Sequence, residues 1–249
     1  MFIDVFIDLF IEIGALMPAT ALPASGDTPE GDGVAKTCDA SGMAEIHRWF
    51  RAGFGEGPVL VAGVSNNDAA HAEIVGDHLA MLSTGLHGHH EGEDTMLWGR
   101  LENRAPSCAA HIARMKQQHA QTLVHLGELD ASLPAWRASG RATDAEPVVA
   151  ALAGINAALA VHLTDEETNI VPVMEIALLP ADVDALAEHG RKATPKGKMF
   201  IQLGAILAAQ PDDGHEWLHK NLPAPARVLW RLVGKARYER HRAALAGTR

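Results

Sequence analysis

The sequence predicts an all-α protein: an antiparallel up-down four-helix bundle with additional C-terminal helices. Alanine and leucine dominate a chain that has one tyrosine and few β-branched runs, a composition that favours helix. Apolar residues recur at helical spacing from residue 43 onward, and no stretch alternates as a strand would. Proline, glycine and small polar residues cut that text into four long segments with short joins, and such helices pack antiparallel.

Each element follows from local signals. Residues 1–24 are strongly apolar, with Asp4, Asp8 and Glu12 on one stripe. Three acids are costly in a bilayer, and no Lys or Arg precedes the run, so it fits neither a membrane span nor an export signal. Residues 23–42 are rich in Pro, Gly, Ser and Asp and form a linker, so residues 1–42 make one N-terminal unit. A first helix starts at residue 43, with a break expected near Gly57 and Pro58. N-cap candidates at Ser65, Asn66, Asn67 and Asp68 start a second helix, which runs to about Arg104. Ala105, Pro106 and Ser107 end it and start a third, to about Trp136. Residues 137–147 are expected to be a loop. A fourth helix covers about 145–179, kinked or ended early by Pro172. The bundle is thus expected over 43–190 and a helical extension over 191–249, with helices at 181–188, 199–210 and 224–246. Leu229, Leu232, Val233 and Ala236 give the last one an apolar stripe for docking on the bundle.

The chain of 249 residues is ample for a real core, and 47% of it is apolar. Its net charge of −10 argues against nucleic acid as a partner. From Arg227 onward, however, seven Lys/Arg residues face one acid, Glu239; a solvated helix face explains them, and a protein partner on the C-terminal helices is the sharper reading. Cys38 and Cys108 form no motif, which points to a reducing, cytoplasmic setting.

The 14 histidines carry the functional signal through their placement. His89 and Glu93 lie four apart on the second helix, and His162 and Glu166 repeat that spacing and order on the fourth. One such pair is an ordinary solvated turn. Two of them, on diagonal helices that run parallel, can point inward at one level. His47 precedes His89 by 42 residues and His119 precedes His162 by 43. The chain therefore reads as two half-bundles, each with one histidine followed by His-x-x-x-Glu, an arrangement that builds a pseudo-two-fold metal site. Imidazole and carboxylate without thiolate suit iron, manganese or zinc. His90 lies a hundred degrees round from His89 and forms a rival four-spaced pair with Asp94, as ligand or supporting group. His87 and His111 are supporting candidates at most. His78 shares the face of His89 but lies about 16 Å along the axis, too far to ligate.

With these residues, the sequence resembles the hemerythrin-like (HHE cation-binding) family. The resemblance rests on EIHRWFR at 45–51, HHEGEDTMLW at 89–98, MKQQH at 115–119 and HLTDEETNIVPVME at 162–175, and spans about 43–190. LPAPARVLW at 222–230 looks like the extension of actinobacterial members. The resemblance implies a four-helix bundle around two non-haem iron ions bridged by oxide or hydroxide, held by His47, His89, Glu93, His119, His162 and Glu166. Two departures matter. Met115 stands where oxygen carriers have a further histidine, and the fourth helix offers His-x-x-x-Glu in place of His-x-x-x-x-Asp. Six donors leave open metal positions for water, peroxide or nitric oxide. The expectation is a di-iron protein that reacts with H2O2 or NO, or that senses O2 or iron. The alternative is a non-catalytic, iron-responsive regulatory module.

Overall fold

The protein is described by a computed structural model covering residues 35–247. The acidic-apolar stretch 1–24 and most of the linker lie outside the described residues. Among the described residues there are helices and no strands. Four long helices form the bundle: α1 (Gly42–Ala62), α2 (Ala69–Gly92), α4 (Ala109–Ser139) and α5 (Ala142–Asn169). A π-helical turn, Glu93–Leu97, continues α2 into α3 (Trp98–Arg104). After α5 come α6 (Val171–Ala177), α7 (Pro180–Lys192), α8 (Met199–Ala208), α9 (His215–Asn221) and α10 (Ala224–Leu229). A second π-turn, Trp230–Gly234, joins α10 to α11 (Lys235–Leu245).

Each long helix packs on two others, in the cyclic order α1, α2, α4, α5. This leaves α2 and α5 diagonal, as short joins between antiparallel neighbours require. Asp68 caps α2, its carboxylate accepting from His71 N–H at 3.0 Å.

Three sequence expectations change. The break near Gly57 and Pro58 does not occur, and α1 runs on to Ala62. Pro58 removes the N–H that would reach the Phe54 carbonyl, but Asn156 Nδ2 donates to that carbonyl at 2.9 Å. The loop expected over 137–147 shrinks to Gly140 and Arg141. Gly140 adopts φ +60° and its N–H returns to Trp136 O at 2.7 Å. A Cβ there would lie 2.5 Å from the Asp68 backbone, so a glycine is needed on both counts. The second helix contains a π-turn that no hydropathy pattern announces: Trp98 N–H bonds to Glu93 O, five residues back. The fourth helix ends at Asn169, three residues ahead of the expected breaker, Pro172.

The core divides into two apolar clusters along the bundle. One gathers Trp49, Phe50, Phe54, Leu79, Leu82, Leu126, Leu152 and Leu159. The other gathers Leu97, Trp98, Leu101, Ile112, Met115, Ile170 and Met174, with both cysteines, which are free. Polar residues of all four helices occupy the level between them. Ala142–Ala177 is long and apolar enough to cross a membrane by length and composition. In this fold its inward face is buried in the two clusters.

The C-terminal helices form a small cluster of their own around Phe200, Leu207, Leu218 and Trp230. They dock on the bundle through Ile206 and Leu245, which join the first cluster. Polar contacts fasten the junction. Arg242 grips Glu56 with two hydrogen bonds of 2.6 and 2.8 Å, His241 Nε2 meets His78 Nδ1 at 3.1 Å, and Lys220 reaches Glu45 at 2.9 Å.

Candidate metal centre

Four helices deliver polar side chains to the level between the clusters. His47 comes from α1, His89 and His90 from the end of α2, Glu93 from the π-turn, His119 from α4, and His162 and Glu166 from α5. His47, His162 and Glu166 are fully buried, and Glu93 is 1% exposed. The six residues named from sequence converge here, and the structure adds His90.

The donor atoms fall into two groups, each with members within 4.8 Å of one another. One contains His90, Glu93, His119 and His162; the other contains His47, His89, Glu93 and Glu166. Glu93 belongs to both. Its Oε1 lies 3.1 Å from His89 Nε2 and its Oε2 lies 3.2 Å from His119 Nε2, so the carboxylate spans the pair. Glu166 Oε2 sits 3.4 Å from His47 Nε2 and 3.6 Å from His162 Nε2. The strict two-fold division read from the 42- and 43-residue spacings is therefore broken. Three histidines serve one group and two the other, and Glu166 groups with histidines from other helices rather than with His162.

His90 enters because of where Glu93 stands. Glu93 is four residues beyond His89 and three beyond His90, so it lies on the helix surface between them. Both imidazoles can then face inward on either side of it. The rival pair His90–Asp94 does not act as a unit. Asp94 instead accepts from His119 Nδ1 at 2.8 Å and from Trp98 Nε1 at 2.8 Å.

Three ligand-candidate imidazoles have their outer nitrogen fixed in this way. His47 Nδ1 meets Glu167 Oε1 at 2.9 Å, and Arg51 holds the same oxygen at 2.7 Å. His162 Nδ1 meets Gln118 Oε1 at 3.2 Å, while Gln118 Nε2 donates to Asp165 at 3.0 Å. A proton held on Nδ1 leaves the lone pair on Nε2, which points inward. Glu167 and Gln118 were not anticipated from sequence, and Asp94 was named only as a partner of His90, not of His119. Glu167 and Asp94 each directly follow a candidate ligand, the one signal that could have found them. His87 instead pairs with Asp130 and His111 with Arg114, while Met115 fills the second apolar cluster without offering a donor to either group.

Most of the inward atoms lack hydrogen-bond partners, while His47 Nε2 and His89 Nε2 form a hydrogen bond only with each other, at 3.2 Å. The Nε2 atoms of His90, His119 and His162 and both oxygens of Glu93 and of Glu166 form no hydrogen bond. Buried polar atoms are rarely orphaned, and a cluster of them aimed at two points calls for an ion. Electrostatics agree. Burial pushes the Glu93 carboxyl up to about 8, and burial together with the Glu93 charge does the same to Glu166. Burial, then the neighbouring imidazoles, holds His89 and His90 well below the usual histidine range and His162 down to about 3. Neutral imidazoles with free lone pairs and carboxyls that lose protons to a cation are the state a metal site needs. Nitrogen and carboxylate donors fit a first-row divalent metal.

A family model described as Hemerythrin HHE cation binding domain matches residues 40–174. No curated protein and no solved structure matches the chain.

Proposed function

Because the chain belongs to the hemerythrin HHE cation-binding domain family, we propose that this metal-binding protein is a di-iron protein that reacts with peroxide or nitric oxide, or senses oxygen or iron. The observation that carries the reading is the pair of donor groups joined by Glu93, whose carboxylate oxygens, with those of Glu166 and the Nε2 atoms of His90, His119 and His162, have no hydrogen-bond partner. In this reading His90, His119 and His162 hold one iron, His47, His89 and Glu166 hold the other, and Glu93 joins both. An iron pair supplies electron transfer to a small molecule at an open coordination position.

The residues of the chain set the conditions for that chemistry. Glu93 and Glu166 contribute two negative charges against the four of a diferrous pair, which favours an added hydroxide or oxide bridge. Glu167, Asp94 and Gln118 keep three imidazoles in the tautomer that presents Nε2. The apolar clusters on either side shield the pair from bulk water. We place this activity in the reducing cytoplasm on the sequence argument alone.

Metal analysis and an optical spectrum of the purified chain test the reading. Two irons per chain with oxo-bridge absorption are expected, and Glu93→Ala with Glu166→Ala is expected to remove both. Full iron retention in the double variant sinks the ligand assignment.

A second reading is favoured by the junction of Arg242 with Glu56 and of His241 with His78: a non-catalytic module in which iron stabilises the bundle and the C-terminal helices signal to a protein partner. Turnover of peroxide in excess of bound iron supports the first reading. An iron-dependent rise in melting temperature without turnover supports the second.

A further inference from the structure

The outer side of α5 carries no charge over about five helical turns. From Pro147 to Thr164 the only ionisable residue is His162, and it is buried among the donor groups. Val149, Ala150, Ala153, Ala157, Ala160 and Val161 are the apolar residues turned to solvent along that span. Val149 is 39% exposed and Val161 61%. A bundle helix in water ordinarily places charged residues on the side away from the core. Here that side runs about 27 Å without one. Toward α4 the face deepens into a hollow of about 320 Å³, walled by Gly154, Ala157, Ala158 and Val161 and, opposite, by Gln118 and His125. A row of small side chains is a seat for bulky ones, because large and small residues interdigitate across a packed surface.

The chain carries a segment with the complementary character. Residues 1–17 include Phe2, Ile3, Phe6, Leu9, Phe10 and Ile13, and their only charged side chains are Asp4, Asp8 and Glu12. So much apolar surface in one stretch calls for a cover. The four-residue spacing of the acids gathers them on one side of a helical course and leaves the rest apolar.

The start of the described chain puts this segment within reach of α5. Thr37 N–H donates to Glu175 O at 2.7 Å, and Lys36 pairs with the Glu175 carboxylate at 2.6 Å. Glu175 lies on α6, which directly follows α5. Residues 25–35 span up to about 35 Å when extended, whereas Thr164 is roughly 17 Å of helix from Glu175. A tether of this length holds the segment at an effective concentration of about millimolar. Docking within one chain therefore outcompetes docking on a second copy at ordinary protein concentrations.

We propose that residues 1–17 dock on the uncharged face of α5 in their own chain, with Phe6 and Phe10 seated over the small side chains between Val149 and Val161. Asp4, Asp8 and Glu12 then face solvent and supply the charged outer layer that α5 lacks. The docked segment also closes the hollow beside Gln118, whose carbonyl oxygen meets His162 Nδ1 at 3.2 Å.

Chymotrypsin cuts after phenylalanine and leucine, so its rate at Phe6, Leu9 and Phe10 in the full chain reads the docking. Ala157→Glu sets a charge in the middle of the face and is expected to raise that rate about ten-fold or more, because cleavage tracks the undocked population. Ala236→Glu, beside the exposed Leu232, Arg231 and Lys235 on the C-terminal helices, is the control and is expected to change nothing. Should Ala157→Glu fail to fold, Ala153→Glu on the same face replaces it. Equal rates with and without Ala157→Glu, or release by Ala236→Glu instead, overturn the proposal. A photo-crosslinking benzoylphenylalanine in place of Phe6 then identifies the contact in an equal mixture of unlabelled and 15N-labelled chains. Crosslinks to residues 142–169 within chains of one label are expected. Crosslinks between unlabelled and labelled chains assign the face to a second copy, and protection that arises only when phospholipid vesicles are added assigns the segment to a membrane surface; either overturns the proposal. None of these readouts depends on bound metal, so they stand or fall apart from the di-iron reading.

Discussion

At the scale of single residues, Glu93 and His90 explain what spacing shows and what it hides. A four-residue interval marks one helix face, so His89 with Glu93 and His162 with Glu166 are legible in the sequence. His90 is a hundred degrees off that face, which made it a rival to His89 rather than a companion. In the folded chain Glu93 stands between the two faces, and each histidine brings a donor atom to one of the two groups. The outer pairings of Glu167, Asp94 and Gln118 were illegible for a different reason. A hydrogen bond such as His47 to Glu167 joins residues on different helices, and only packing brings them together. A prediction follows from the unequal groups. His90→Ala removes one nitrogen from the three-histidine group and none from the other. Metal analysis is expected to find about one iron per chain instead of two, with the secondary structure intact. Two tightly held irons in that variant would remove His90 from the ligand set.

At the scale of elements, prolines and glycines gave correct signals with misjudged consequences. Pro172 shortens the last bundle helix as expected, and Pro58 does not break the first. The difference lies in what happens to the carbonyl a proline leaves behind. Asn156 on α5 serves the Phe54 carbonyl beneath Pro58, and nothing in the sequence near Pro58 reveals a donor about a hundred residues away. Asn156→Leu is therefore expected to destabilise the fold by about 1–3 kcal/mol, the cost of an unsatisfied buried carbonyl. Adding Pro58→Ala restores an N–H to that carbonyl and is expected to recover part of the loss. Urea denaturation of the two single variants and the double variant measures the coupling; strictly additive effects would refute this account of the helix.

At the scale of the whole molecule, the C-terminal helices do dock on the bundle, but not through the stripe expected from sequence: Leu232 is 75% exposed, Leu229 and Val233 pack within the C-terminal helices, and Ile206 and Leu245 make the junction with polar fastening that no pattern announced. His78 looked too far from the metal level to matter, and it is in fact half of the junction with His241. Burial raises the Glu56 carboxyl, but its bonds to His78 and Arg242 outweigh this and hold it down to about 2. Burial, then His78 and Lys198, holds His241 down to about 4. Both groups have folded values below their ordinary ones. Each thus favours the docked state fully above its ordinary range and loses that contribution as pH falls through its folded value. Docking is expected to weaken progressively from about pH 6.5, where free histidine titrates, toward pH 2. Fluorescence of Trp217 and Trp230 in an acid titration reads this, and Arg242→Met is expected to move the transition to higher pH. A transition unaffected by Arg242→Met would show that Glu56 does not govern it.

The π-turn at Glu93–Leu97 has a consequence for inheritance. Deleting one residue between Asp94 and Met96 would leave every metal-binding side chain in the gene and the hydropathy of the helix nearly unaltered. It would also close the widened turn to the ordinary four-residue repeat, while the helix on either side kept the faces it presents. What would change is the turn itself: Asp94, which now accepts from both Trp98 and His119, would stand three residues before Trp98 rather than four, and that bridge would have to be rebuilt. Among descendants of this chain, the number of residues in that turn is as much a part of the candidate centre as the identity of any donor, and a one-codon gap there marks a lineage in which the support of His119 by Asp94 has been rebuilt.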